Sequence, residues 1–331
     1  MSYRPVKPLI LNEREIRQVA PSRRDIVAIV EDAYRMDAAG QAEVPSKIGV
    51  HPGRANSLVH AMPAWVSGAP ALGVKLISYY PGNFAQGLHD STGIIVLYDP
   101  ADGQPLAIME GMWITFARTA ACAAVAAKYL ARPEPKSLGL VGCGGLGEWS
   151  LLTLAEVFPS LRLIRVSSRR AETREAFCAR FAGQGPWRLE PVAEPRAAVE
   201  GMDIVISSTP QQTEPRLFGA WWSPGTLAIP FDYPYVWDDA AYAAADALFC
   251  DDLARLAVFE RASAAGRRPG LRFPANRPLL QDAVAGKCAR PKPSERVIAM
   301  VTGIASTDVT VAAEIYRRAK RAGLGAEIAL T

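Results

Sequence analysis

The run Gly142-Cys-Gly144-Gly-Leu-Gly147 is the feature that most limits how this chain can fold. It follows directly on the apolar segment 137–141, which predicts a buried strand, and it precedes a helical pattern at 148–158. A second strand pattern, at 162–167, begins about 20 residues after the glycines. Strand, glycine turn, helix and strand at this spacing predict the βαβ unit of a dinucleotide-binding sheet.

Each of the three motif glycines has a physical role in such a unit. Gly142 permits the tight turn, Gly144 lets the backbone approach a pyrophosphate, and Gly147 allows the helix to pack close to the strand. The N-terminus of the helix offers unpaired N–H groups and a partial positive charge to the phosphates. Gly145 and Leu146 lie in the same turn and are counted with them as cofactor-binding candidates. The alternative is a structural turn without a ligand.

The end of the second strand discriminates between the two nicotinamide nucleotides, because an acidic side chain there binds the ribose 2′-OH and repels a 2′-phosphate. The sequence at this point is Ser168, Arg169 and Arg170, with two guanidinium groups and no carboxylate. Arginine binds phosphate bidentately, so we expect NADP(H) to be favoured over NAD(H). The alternative is that both arginines belong to a solvated helix start. Thr209, after the strand pattern at 203–208, completes the cofactor-binding candidates.

Alternating strand and helix patterns begin after a proline-containing break at 131–136. Such alternation is typical of a parallel sheet covered by helices. The preceding part combines a helix at 22–39, a hairpin turning at 99–103 and an alanine-rich helix at 113–130, and an amphipathic helix follows at 307–322. The fold class predicted is α/β, with a domain boundary near residue 131.

Length and composition limit the partners. A chain of 331 residues is long enough for two domains, each with its own core. A net charge of +4 without a run of basic residues is too small to bind a nucleic-acid backbone. The sequence has no signal peptide or membrane span, so we expect a cytoplasmic protein. The five cysteines are scattered and only three histidines occur, so we predict neither a disulfide framework nor a metal site.

Further motifs are spread over nearly the whole chain. They are Met62-Pro-Ala64, Lys75-Leu-Ile-Ser-Tyr-Tyr-Pro-Gly-Asn83 with Gly87, Leu97-Tyr-Asp99 with Gly103, Arg118-Thr-Ala-Ala121, an aspartate within 229–239, and Thr302-Gly-Ile-Ala-Ser-Thr-Asp308. Together with the glycine motif, these segments resemble the ornithine cyclodeaminase/mu-crystallin family. The resemblance implies a homodimer. A mixed α+β domain, 1–130 completed by 308–331, would bind substrate and form the dimer, with a Rossmann-type, doubly wound parallel-sheet domain, 131–307, inserted into it.

The resemblance also implies roles for three charged side chains. Lys75 and Arg118 would hold the substrate carboxylate, and Asp232 would be the acidic catalytic residue beside the reacting amine. A carboxylate needs a fixed cation, and the C–N centre needs a proton donor or acceptor in reach while hydride moves. Lys75 could also act as an acid or base if burial near Arg118 lowers its pKa. The alternatives are a charge that caps or crosses a helix for Arg118, and a turn aspartate for Asp232.

The sequence departs from the family pattern around the expected substrate pocket. Lys47 stands where the family usually has another arginine, so the charge is kept and the bidentate fork is lost. After Asp232 the chain carries Tyr233, Tyr235 and Trp237 in place of small and cationic residues. We expect these aromatics to form a wall, with Tyr235 binding substrate. Such a wall predicts a substrate whose side chain is bulkier or less polar than that of ornithine, or a substrate whose cationic group binds to the faces of the aromatic rings.

The function predicted is NAD(P)-dependent hydride transfer at Cα of a small α-amino or α-imino acid, as in an imine or ketimine reductase or an amino-acid dehydrogenase. The first alternative is an ornithine cyclodeaminase-type lyase, which takes and returns the same hydride while ammonia leaves. The second is a cofactor-dependent protein that binds a small ligand without chemistry. Net oxidation or reduction separates the predicted function from the lyase.

Overall fold

The computed structural model describes residues 5–53, 57–210, 214–264 and 271–330, with every side chain in these ranges except those of Tyr233, Ser263 and Ala264. The chain divides into two compact units. One consists of Met1–Arg118 with Ile304–Thr331, and the other of Thr119–Gly303. They are called the outer unit and the inserted unit below.

Both units contain helices and strands. In the first part of the chain the elements are β1 (Leu9–Leu11), α1 (Glu13–Val19), α2 (Arg23–Ala38), β2 (Ala42–Glu43), β3 (Ile48–Val50), β4 (Leu58–Val66), β5 (Ala71–Tyr79), β6 (Ser91–Tyr98), β7 (Pro105–Glu110) and α3 (Met112–Leu130). They are followed by β8 (Ser137–Val141), α4 (Gly145–Val157), β9 (Leu163–Ser167), α5 (Ala171–Phe181), β10 (Arg188–Val192), β11 (Ile204–Ser207), β12 (Leu227–Pro230), α6 (Asp239–Ala243) and β13 (Ala247–Cys250). The last elements are α7 (Leu253–Ala264), α8 (Leu280–Val284), β14 (Val297–Met300), α9 (Ala305–Ala322) and β15 (Ala326–Glu327).

The outer unit is built on a mixed sheet. Its strand order is β15-β1-β7-β6-β5-β4-β2, and β3 pairs with β4. Strands β1 and β7 are parallel, and the other pairs of this sheet are antiparallel. Helix α9 packs against β4, β5 and β6 on one face and against α2. It ends at Gly323, whose left-handed conformation satisfies the last carbonyls of the helix.

The inserted unit is built on a seven-stranded sheet with the order β10-β9-β8-β11-β12-β14-β13. All its pairs are parallel. The order reverses direction at β8, so the carboxyl ends of β8 and β11 border the crevice where doubly wound sheets bind ligands. The predicted α/β class and Rossmann-type sheet are confirmed.

The predicted strand at 137–141 has the bounds of β8, and the predicted strand at 162–167 differs from β9 by one residue. Ser22 caps α2 and closes a capping box with Asp25. The sequence patterns did not predict β1, α1, β10, α6, α7, α8, β14 or β15. The predicted domain boundary at 130/131 lies at the end of α3, whereas the two compact units divide inside that helix. The domain assignment itself stays a prediction.

Candidate functional site

Lys75 lies in the middle of β5 and is fully buried. Because side chains alternate along a strand, Lys75 shares the inner face of the sheet, next to α9, with other buried residues. Its register partners on β4 and β6 are Met62 and Ile95, both buried. Apolar neighbours therefore flank the ammonium group on both sides, and such surroundings disfavour a charge unless it is paired.

Asp308 supplies the opposite charge from the first turn of α9, where it is fully buried. Its Oδ1 accepts hydrogen bonds from Lys75 Nζ at 2.7 Å and from Arg118 Nε at 2.9 Å. Lys75 Nζ also donates to Thr115 Oγ1 at 3.4 Å. Strand β5, helix α3 and helix α9 thus meet in one buried charge cluster within the outer unit. We call Lys75, Thr115, Arg118 and Asp308 the Asp308 cluster.

The cluster holds more positive than negative charge when Lys75 is protonated. Both cations share one oxygen, and Asp308 Oδ2 is buried without a hydrogen-bond partner in the described part of the chain. Burial lowers the pKa of Lys75 to about 7, helped by the charge of Arg118 and opposed by Asp308. The condition under which Lys75 was expected to act as an acid or base is therefore met.

The structure brings together most of the residues proposed for the carboxylate. Lys75 and Arg118 meet at one oxygen atom, and Lys47 lies near enough for its charge to lower the pKa of Lys75 further. Lys47 is half-buried in the segment between β2 and β3. Asp308 was not among the predicted site residues. Its only signal in the sequence was a place in the motif before the last helix, which gives no spatial neighbour.

Asp232 follows β12 in the inserted unit and is buried. Its Oδ1 accepts from Ser207 Oγ at 2.7 Å, and its Oδ2 accepts from the amide and hydroxyl of Thr209 at 3.0 and 2.9 Å. Burial raises the pKa of Asp232 to about 6, although these hydrogen bonds act to lower it. A carboxyl group that titrates near neutral pH is suited to hold and release a proton. Thr209, expected at the cofactor, contacts this carboxylate.

The glycines in the turn between β8 and α4 are of two kinds. The local backbone requires a glycine at two of the positions, whereas a third position has room for a side chain. Gly142 has a φ of +106°, which side-chain-bearing residues rarely adopt. A Cβ at Gly147 would lie 2.5 Å from the carbonyl oxygen of Gly142. A Cβ at Gly144 would meet no atom within 4 Å. The bare backbone at Gly144 leaves the N-terminus of α4 open, and the amides of Gly145 and Leu146 have no carbonyl in the preceding turn to bind.

The residues after β9 lie where the ribose was expected. Arg169 and Arg170 are both exposed, and Ser168 is half-buried. Arg174, in the first turn of α5, donates from Nη1 to the carbonyl oxygen of Ser168 at 3.1 Å, which holds this turn in place. The chain thus presents two guanidinium groups at the carboxyl end of β9, and no acidic side chain stands at positions 168–170.

The expected aromatic wall needs a correction. Trp237 is buried in the core of the inserted unit, with its ring 5.9 Å from that of Trp222, so it cannot line a substrate pocket. The hydrophobic effect favours an indole in this core over an exposed one. Tyr235 is half-buried and meets the ring of Phe259 edge-on at 6.1 Å. The side chain of Tyr233 lies outside the described residues.

For metal ligands, membrane-spanning helices and cysteines, the structure describes residues 5–53, 57–210, 214–264 and 271–330. Within those ranges, no three histidine, cysteine or acidic side chains come together as ligands for a metal ion. No helix there combines the length and apolarity needed to cross a membrane. The five cysteines are free thiols.

A family model described as the ornithine cyclodeaminase/mu-crystallin family matches residues 6–323. A ketimine reductase mu-crystallin of Rattus norvegicus is 29% identical over 221 residues, which cover 66% of this chain and 69% of the relative.

Two solved structures are similar over nearly the entire chain. One is a Δ1-pyrroline-2-carboxylate reductase of Thermococcus litoralis in complex with NADH and L-proline, with a TM-score of 0.87, 26% identity, and coverage of 97% of this chain and 100% of that one. The other is an archaeal alanine dehydrogenase dimer with bound NAD, with a TM-score of 0.85, 25% identity, and coverage of 98% and 100%.

Proposed function

The chain belongs to the ornithine cyclodeaminase/mu-crystallin family, and we propose that it is an NAD(P)-dependent oxidoreductase that transfers hydride at Cα of an α-amino or α-imino acid. The observation that carries the proposal is the Asp308 cluster, in which two buried cations share a single carboxylate oxygen. The excess positive charge favours a second anion beside the cations, and the carboxylate of an amino or imino acid has the required charge and shape.

Three residues of this chain have roles in the reaction. Arg118 and Lys75 bind the substrate carboxylate and thereby orient Cα. Asp232 gives a proton to the imine nitrogen in the reductive direction and takes it back in the oxidative direction. Its three donors fix both carboxylate oxygens in place, and its raised pKa lets both protonation states exist near neutral pH.

The glycine turn would hold the cofactor. The open backbone at Gly144 and the amides of Gly145 and Leu146 are suited to a pyrophosphate, whereas Gly142 and Gly147 are required by the fold of the turn itself. A bound nicotinamide nucleotide supplies or accepts the hydride. For the choice of nucleotide we propose NADP(H), because exposed guanidinium groups stand where NAD-specific sites place a carboxylate. The similar structures hold NADH and NAD, so the two nucleotides are compared directly in the test below.

A spectrophotometric screen tests reaction and nucleotide together. Keto acids with amines, and cyclic imino acids, are offered with NADPH and NADH in parallel. We expect stoichiometric oxidation of the reduced nucleotide with at least one imino acid. Ornithine converted to proline with ammonia release and no net change in nucleotide would show the cyclodeaminase-type lyase instead. Binding without any turnover would show a cofactor-dependent binding protein.

A matched pair of glycine variants tests the cofactor site. Gly144→Ala adds a methyl group that meets no atom of the chain, so the variant should fold normally and bind the nucleotide at least ~10-fold more weakly by steric exclusion. Gly147→Ala forces a contact with the Gly142 carbonyl and should lower the melting temperature. Normal nucleotide binding by Gly144→Ala would contradict the assignment.

We propose further that the chain forms a homodimer through the outer face of the mixed sheet. On β5, Leu72, Val74 and Leu76 alternate with the buried residues that face α9, and their neighbours on β6 include Ile94 and Val96. Leu76 and Ile94 are register partners and both are exposed, which leaves an apolar surface in the single chain.

Light scattering after gel filtration should give twice the chain mass of 35.6 kDa, and Leu76→Glu should give the single mass. A monomer at micromolar concentration would contradict the dimer. The cytoplasmic location stays a prediction from the sequence.

A further inference from the structure

We propose that Asp308 is a positioning residue of the carboxylate site: it holds Lys75 beside Arg118 and supplies the charge that lets Lys75 take up a proton when a substrate carboxylate binds. The ligand's identity rests on the proposed function, whereas the effect of Asp308 on Lys75 does not.

The geometry argues against a role in packing alone. Asp308 Oδ1 accepts from both cations within 2.9 Å, and Oδ2 is buried without a hydrogen-bond partner in the described part of the chain. Removing a carboxylate from water is costly, and apolar residues of similar volume often stabilise a core as well or better. A carboxylate at such a position is therefore expected to balance and position the charges of Lys75 and Arg118.

Among the described residues that act electrostatically on Lys75, Asp308 is the one negative charge, and it favours the protonated form of Lys75. Arg118 on α3 and Lys47 before β3 both disfavour a protonated Lys75, and burial acts in the same direction. The buried neighbours from β4 and β6 are apolar at Met62 and Ile95. Other titratable side chains buried on elements packed against α9 are His60 on β4, and Glu31 and Tyr34 on α2, where Glu31 is paired with Arg35.

The consequence is a binding site that takes up a proton with its ligand. Before binding, the amine of Lys75 exchanges a proton with water near neutral pH. A substrate carboxylate adds a second negative charge beside Lys75 and favours its ammonium form. Lys75 then takes up one proton from the solvent. Without Asp308, the two remaining cations would act on Lys75 unopposed, and Lys75 would be neutral before the ligand arrives.

The first test needs no ligand and measures the free energy of unfolding against pH. Lys75 has a folded-state pKa near 7 and an unfolded-state pKa of about 10.4, so between these values the unfolded chain binds more protons and stability rises with pH. Asp308→Asn should move the start of this rise to lower pH by about 1 to 3 units, the effect of losing a nearby opposite charge. Lys75→Met should abolish the rise.

Ser306→Ala is the matched control. Ser306 is fully buried in the same turn of α9, and its Oγ has no hydrogen-bond partner in the described part of the chain. This variant should keep the wild-type pH at which stability begins to rise. An equal profile for Asp308→Asn and Ser306→Ala would overturn the inference.

A further variant covers the case in which Asp308→Asn does not fold. The double variant Arg118→Met with Asp308→Asn removes the cation that stays charged together with its counter-charge, so it should recover a cooperative unfolding transition. Recovery would support a charge role for Asp308. Failure of both variants while Ser306→Ala folds would overturn the inference, because Asp308 would then be needed for packing.

The second test uses the imino acid found in the screen. For the wild type, KM should rise as the pH is raised above about 7, and for Asp308→Asn this rise should begin at lower pH while kcat changes less. A moved stability profile without turnover of any imino acid would reject the proposed function and keep the effect on Lys75. Turnover by the wild type with an unmoved KM profile in Asp308→Asn would reject the positioning role and keep the proposed function.

Discussion

Asp308 of the outer unit and Asp232 of the inserted unit are both buried carboxylates, yet their neighbours differ in kind. Asp308 accepts from an ammonium and a guanidinium group, whereas Asp232 accepts from two hydroxyls and one backbone amide. The Asp308 carboxylate is suited to hold these two cations in place. Neutral donors offset burial only in part, so the pKa of Asp232 is raised to about 6. The same side chain thus serves to position charge in one unit and to exchange a proton in the other.

The largest expected effect comes from removing the exchangeable proton. Asp232→Asn keeps the size of the side chain and should lower kcat by about 10²- to 10⁴-fold, the usual contribution of a general acid or base. Nucleotide affinity, measured by fluorescence titration, should change little. Asp239→Asn, which changes an exposed carboxylate of the same unit, is the control and should retain full activity. If Asp232→Asn kept the kcat of the wild type, Asp232 would not be the residue that exchanges the proton.

Removing Arg118, one of the two cations paired with Asp308, should weaken substrate binding. Arg118→Met should raise KM by about 10²-fold, because truncating one member of a buried charged pair costs about 2 to 5 kcal/mol. Steady-state kinetics on the screened imino acid measures this change. Arg317→Met changes an exposed arginine on α9 and should keep the wild-type KM. A fall in kcat at constant KM would mean that Arg118 acts in the chemical step.

Stability should depend on pH in opposite directions at the two sites. The folded-state pKa of Asp232 lies above its unfolded-state value, so the folded chain binds more protons between about pH 4 and 6, and stability falls as pH rises through this window. The wild type should lose up to about 2 to 3 kcal/mol of stability relative to Asp232→Asn between pH 4 and 7. Urea unfolding at both pH values measures the difference. A constant difference would show that Asp232 remains ionised in the folded chain over the whole range.

The smallest expected effect concerns the nucleotide. Arg169→Ala and Arg170→Ala remove exposed side chains and should each raise KM for NADPH by up to about 5-fold while leaving KM for NADH unchanged, since an exposed ion pair contributes up to about 1 kcal/mol. Equal changes for both nucleotides would show that these arginines do not recognise the 2′-phosphate.

The βαβ segment of β8, α4 and β9 was the most predictable part of the inserted unit. Its signals are local: a glycine turn lies between a strand and a helix, and a second strand follows at the spacing of a dinucleotide-binding unit. The glycines, Ser168 and the two arginines therefore stand where the sequence placed them, at the carboxyl ends of neighbouring strands. The misplaced residue was Trp237, because its position after Asp232 did not reveal that its ring belongs to the core.

The outer unit depended more on tertiary contacts. Helices α2, α3 and α9 and the hairpin of β6 and β7 could be predicted from periodicity and turn residues, and Lys75 and Arg118 were named from the family resemblance. Asp308 could not be found in this way, because it follows Lys75 by 233 positions and Arg118 by 190.

The sequence by itself determined the elements of both sheets where hydrophobic periodicity, turn residues and helix caps are local, and it determined which residue types are present for binding an anion and moving a proton. The tertiary structure decided which of these residues meet. Burial, counter-charges and hydrogen-bond partners come from strands and helices that are remote in sequence, and they set the pKa of Lys75 and of Asp232. A pKa depends on the electric environment of a group, and that environment exists only once the chain has folded.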